Sequence, residues 1–161
     1  MSCKEKAQVR AFSVSASVSQ QLLKAIVLKF SFENSTDVLF CGWPYPTVVD
    51  KLKMALYEYY VYLTEKQVQI NPDALEIIMQ MEAPKLTLDE VESIQVTDIV
   101  VDFDGHVTKE NTLELTLKFY DRNTCIVLTP NYFEWVLGYI DNVLEHFDEK
   151  GNILKPTGMV N

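Results

Sequence analysis

The sequence predicts an α+β fold: an antiparallel sheet with helices on one face, made of two pseudo-repeated βββα halves in one domain. Three observations point there. Leu28-Lys29-Phe30, Asn34-Ser35 and Val38-Leu39 recur as Leu117-Lys118-Phe119, Asn123-Thr124 and Val127-Leu128, each 89 residues on. A repeat at constant spacing is the mark of one supersecondary unit built twice. Several runs alternate apolar and polar residues with the period of two that gives a strand one apolar face. Each copy then continues through a proline (Pro44 and Pro46, or Pro130) into an amphipathic stretch.

The elements follow in order. Phe12, Val14, Ala16 and Val18 alternate with four serines, a first strand. Leu22, Ile26, Leu28, Phe30 and Phe32 share one parity of a second. Glu33–Thr36 supplies turn chemistry, and Val38–Cys41 is a short third strand. A helix over Thr47–Leu63 is expected from Val48, Leu52, Ala55, Leu56, Tyr59 and Leu63 on one face, with Thr47 and Asp50 as a variant capping box. Asn71-Pro72-Asp73 reads as a helix start, giving a short helix over Pro72–Glu82, although Leu75, Ile77, Met79 and Met81 also alternate like a strand. Ile94 and Val96 give way to Ile99, Val101 and Phe103 with a change of parity, the sign of a bulge near Thr97-Asp98. Asp104-Gly105 reads as the start of a hairpin connection, followed by strands over Leu113–Phe119 and Cys125–Leu128. A last helix over Pro130–Phe147 buries Phe133, Val136, Leu137, Ile140, Leu144 and Phe147, with Asn131 and Glu134 as its capping box. The halves are thus about 8–65 and 92–148, joined by 66–91 and followed by an irregular tail, 149–161.

Composition is that of an ordinary globular chain, with 48% hydrophobic and 23% charged residues. The N-terminus carries no apolar signal core, and no apolar run approaches the ~20 residues a spanning helix needs, so the reading is cytoplasmic with no membrane association. Three widely spaced cysteines are not a disulfide framework, and Cys41 and Cys125 read as buried thiols. Net charge is −9, and all of it belongs to residues 81–161; residues 1–80 are balanced. Direct nucleic-acid binding needs clustered Lys and Arg and is not expected. A basic protein partner fits that charge.

Catalytic signatures are missing. The five glycines form no phosphate loop, and there is no CxxC, HExxH or GxSxG. No residue is assigned a catalytic or metal role, and no cofactor is expected. Asp98, Asp102 and Asp104 share the outward parity of one strand, with Glu114 on the outer face of the next. Solvated acids that steer a basic partner are the reading preferred over a cation site, since the spacing is not that of an EF-hand.

The helices carry a second signal. Tyr132, Trp135, Tyr139 and Val143 form a stripe on the last helix away from its buried face, and Met54, Tyr57 and Val61 lie opposite the core face of the first. A helix that only covers a sheet is polar there. Segment 72–83 could cover one stripe from within the chain. Otherwise these residues, with the stiff aromatic loop Trp43-Pro44-Tyr45-Pro46, mark an interface with a protein partner or a second copy. The expectation is a non-enzymatic interaction protein of adaptor, inhibitor, immunity or chaperone type. The alternatives are a small-ligand binder or minor enzyme, with a cavity near Tyr59 or Tyr62 between sheet and helices, and an acidic nucleic-acid mimic.

Overall fold

Alternating side chains force six segments into strands, and the apolar face they share needs a cover. The computed structural model describes residues 7–69, 83–130 and 133–154, with 133–135 by backbone alone. The strands are β1 (Ala7–Ser19), β2 (Leu22–Phe32), β3 (Val38–Pro44), β4 (Asp102–Val107), β5 (Leu113–Lys118) and β6 (Asn123–Leu128). The helices are α1 (Thr47–Glu65), α2 (Leu88–Glu92) and α3 (Phe133–Leu144), with a 3-10 turn at Val96–Asp98. No described helix is long and apolar enough to cross a membrane.

The strands form one sheet in the order β3-β2-β1-β6-β5-β4. Each half is an antiparallel meander, but the halves meet through β1 and β6, which run parallel and pair at Ala7↔Ile126 and Gln8↔Val127. The sheet is therefore mixed, not antiparallel throughout. The order strand, strand, strand, helix occurs in both halves, yet the 89-residue matches do not fall in register. Leu39 pairs with Phe30, whereas Leu128 pairs with Leu113; Asn34 lies in a turn, whereas Asn123 opens β6.

One face of the sheet carries the core. Ile26, Leu28, Phe30, Trp43, Phe103, Leu115, Leu117 and Ile126 pack there against Leu52, Leu56 and Tyr59 of α1 and Val136 and Ile140 of α3. Lys53 and Asp141, 2.8 Å apart, tie the two helices together. The other face is not bare. Ser13 Oγ donates to Pro84 O, and Lys29 Nζ donates to Lys85 O and to Glu90 of α2, each at 2.7 Å. Since Ser13 and Lys29 are one residue from Phe12 and Phe30, α2 and its lead-in lie on the face opposite α1 and α3. The described helices accordingly divide between both faces.

Turn chemistry closes the hairpins. Gln20 and Gln21 both take positive φ (53° and 63°) in a two-residue turn, a conformation that suits the right-handed twist of paired strands. The β4–β5 turn is made by Thr108–Thr112 with Asn111 at φ 64°, not at Asp104-Gly105, which stay inside β4. Ahead of β4, the expected Ile94–Val96 strand is replaced by the 3-10 turn. From there, Val100 N–H donates to Gly42 O and Val101 N–H to Lys118 O, both at 2.8 Å. Segment 99–101 thus touches the β3 edge of one half and β5 of the other. α1 begins at Pro46 with no side-chain cap, so Thr47 does not play the capping role expected of it. The segment Pro72–Glu82 and the capping residue Asn131 lie outside the described residues. Cys41 is a buried free thiol as expected, but Cys125 is disulfide-bonded, which linear spacing had no means of revealing. Such bonds persist in oxidising compartments and are rare in the cytosol.

Candidate functional site

α1 has one face in the core and the other in solvent. Val48, Val49, Leu52, Leu56, Tyr59 and Leu63 are its buried residues. On the opposite arc, Met54 and Tyr57 are 64% and 62% exposed, and Tyr60 and Val61 are exposed beside them. The Tyr57 and Tyr60 rings pack at 6.3 Å. Four large side chains on one outward arc are a surface that a covering helix has no use for. Tyr60 was missed at the sequence level, although it follows Tyr57 by three residues, the spacing of neighbours on a helix.

The other proposed anchors sit differently. Trp43 is fully buried, edge-on to Phe103 at 5.5 Å, and is a core residue and not a surface one. It pairs with Ile26, so its parity points it inward. Tyr45 is half-buried, and its hydroxyl donates to Glu149 O at 2.9 Å, holding the loop before α1 to the segment after α3. Burial, with Asp50 and Asp148 nearby, raises its pKa. Tyr139 is exposed but lies edge-on to Phe12 at 5.5 Å, and Val143 packs against the core. Tyr132 and the Trp135 side chain lie outside the described residues.

The acids do not form one ridge. Asp98 is in the 3-10 turn, not on a strand, and its carboxylate accepts from Gln95 N–H. Asp102 is held by Lys51 of α1 at 2.6 Å, and this contact lowers its pKa. Asp104 is paired with Lys118 at 3.0 Å. Glu114 is 2% exposed, a buried carboxylate 3.2 Å from His106 Nε2, and so no steering group. Alternation placed it on the outer face correctly; what the sequence did not reveal is that this face is covered. No group of three or more potential ligand side chains among the described residues could hold a metal ion.

A cleft of about 330 Å³ opens between α1 and β4. One wall is a single helical stripe, Lys51, Met54, Ala55 and Glu58; the other is the unbroken run 103–107 of β4, the last strand of the sheet. Leu113 lies beneath. Neither Tyr59 nor Tyr62 lines it: the hydroxyls of both bond Asn111 instead, and burial pushes the Tyr59 pKa upward. The cleft adjoins the exposed arc of α1, since Met54 belongs to both. Fold and surface together define an α+β protein with a mixed sheet, an apolar helix face and a strand-edge cleft. Comparison with protein-family models, curated proteins and solved structures finds no match to this chain.

Proposed function

We propose that this protein is a non-enzymatic interaction module that binds a protein partner through the outward face of α1. The observation that supports the reading is the contiguous exposed set Met54, Tyr57, Tyr60 and Val61 on a helix whose other face already fills the core. Aromatic and methionine side chains are enriched at interface centres, and burying them contributes about 25 cal/mol per Å² before association costs. The acid surplus of residues 81–161 would speed encounter with a basic partner.

Sedimentation of wild type and the double variant Met54→Ser/Tyr57→Ser, with retention of host proteins on each, tests this. Wild type is expected to self-associate or retain a partner, and the variant to lose that by roughly tenfold or more, as hot-spot residues do. Its melting temperature is expected to stay close to wild type, because neither side chain is in the core. A wild-type monomer that retains nothing, or a variant that melts early, overturns the reading.

A further inference from the structure

Strand β4 has a free edge and a missing side chain at the same place. Pairing with β5 runs Asp102↔Lys118, Asp104↔Thr116 and His106↔Glu114, and Thr108 N–H donates to Thr112 O in the same register. Backbone groups alternate sides along an antiparallel strand. Those of Phe103, Gly105 and Val107 therefore point away from β5. Phe103 is provided for: its N–H donates to Asp102 Oδ1 at 2.8 Å, and its carbonyl accepts from Lys51 Nζ at 2.7 Å. Gly105 and Val107 have no such partners among the described residues. Position 105 also faces the core side, between buried Phe103 and half-buried Val107. A Cβ there would stand 3.0 Å from Leu115 Cδ2 and 3.8 Å from Leu113 Cδ1. The glycine lines the cleft, and a side chain there would press on Leu115 and take up cleft space.

We propose that β4 accepts an added strand: an extended segment of a partner protein, with an apolar residue and a lysine or arginine two positions from it, on the same face. Its backbone pairs with Gly105 and Val107, and its apolar side chain fills the cleft above Leu113 beside Ala55. Main-chain pairing at a sheet edge supplies affinity, and the pocket for one side chain supplies selectivity. Charge favours a basic segment. Lys51 is already engaged with Asp102, and Lys118 with Asp104, while Glu58 at the rim has no ion-pair partner among the described residues. A second copy pairing through its own β4, centred on this position, would bring glycine to glycine and leave the space empty. The proposal rests on the interaction-module reading and names how the partner is held.

A display library of random linear nonapeptides, selected on wild type alone and then measured on Gly105→Val, tests it. Selected peptides are expected to carry Lys or Arg two positions from an apolar residue, and to shift the amides of residues 103–107. Gly105→Val is expected to weaken them by about tenfold or more, and so is N-methylation of alternate peptide amides; Tyr57→Ala is expected to weaken them by less than about threefold. If Gly105→Val does not fold, Val107→Pro removes the outward amide and is expected to weaken binding likewise, since an edge strand tolerates proline. Peptides that do not distinguish wild type from Gly105→Val, or a wild-type dimer that Gly105→Val abolishes while no peptide binds, overturn the proposal. Partner binding lost in Met54→Ser/Tyr57→Ser but intact in Gly105→Val sinks strand addition alone and leaves the α1 surface standing.

Discussion

At the scale of single residues, burial decides chemical character. Cys41 is fully buried on β3, and its pKa is pushed up to about 12 by loss of water, against a weaker opposing effect of the Trp43 side chain. The thiolate is the reactive form, so a thiol kept protonated and enclosed is inert. Iodoacetamide at mildly alkaline pH is expected to leave Cys41 unmodified in the folded protein and to alkylate it in guanidinium chloride. Peptide mass spectrometry reads both; labelling of the folded protein would show that the β3 face opens. Gly105 illustrates the converse. Its role comes from what is missing beside Phe103 and Val107, and a glycine next to Asp104 reads as a turn when only neighbours in the chain are considered.

At the scale of elements, short connections hold the layers in place. After α3, Asp148 accepts hydrogen bonds from the backbone N–H groups of Lys150 and Asn152 and from the Asn152 side chain. This fixes a turn in which Gly151 takes φ 90° and Leu23 N–H donates to Gly151 O at 2.8 Å, docking the loop on β2. The Asn152 hydrogen bonds, foremost, hold the Asp148 pKa below the usual carboxylate value. A carboxyl whose folded pKa is depressed stabilises the fold above its unfolded value, about 3.9, and that contribution is lost as pH falls through the lower folded value. Asp148→Asn is accordingly expected to melt below wild type at neutral pH, and to converge on it as pH drops below about 4. Melting curves across that range check this; a constant gap at all pH values would mean that the charge plays no part.

At the scale of the whole molecule, two meanders are joined by a short parallel seam at β1 and β6, and closed at the far side by segment 99–101. Gly42 is where that closure is tightest. A Cβ there would come within 2.5 Å of Ile94 Cδ1 and 2.9 Å of Ile99 Cδ1. Overpacking of this kind typically costs about 1–3 kcal/mol. Gly42→Val is expected to destabilise by that amount in urea unfolding, as a single transition, because the displaced isoleucines of the second half are what seat it on β3 of the first. Two separate transitions in the variant would show that the halves unfold independently.

Legible in the chain alone were β1, β2, β3, β5 and β6 and both long helices with their inward faces, because periods of 2 and 3.6 are local properties set by which side chains must leave water; β4 was misplaced, since Asp104-Gly105 reads as a turn. The sequence also showed that Met54, Tyr57 and Val61 lie off the core face of α1. Packing alone sets that the halves join through parallel strands, that Trp43 and Glu114 are buried, that Lys51 and Lys118 engage Asp102 and Asp104, and that Gly105 lines a cleft at the β4 edge. Each of these depends on which elements lie beside one another across tens of residues. Periodicity says which way a side chain points along its own strand or helix, but not what stands opposite it.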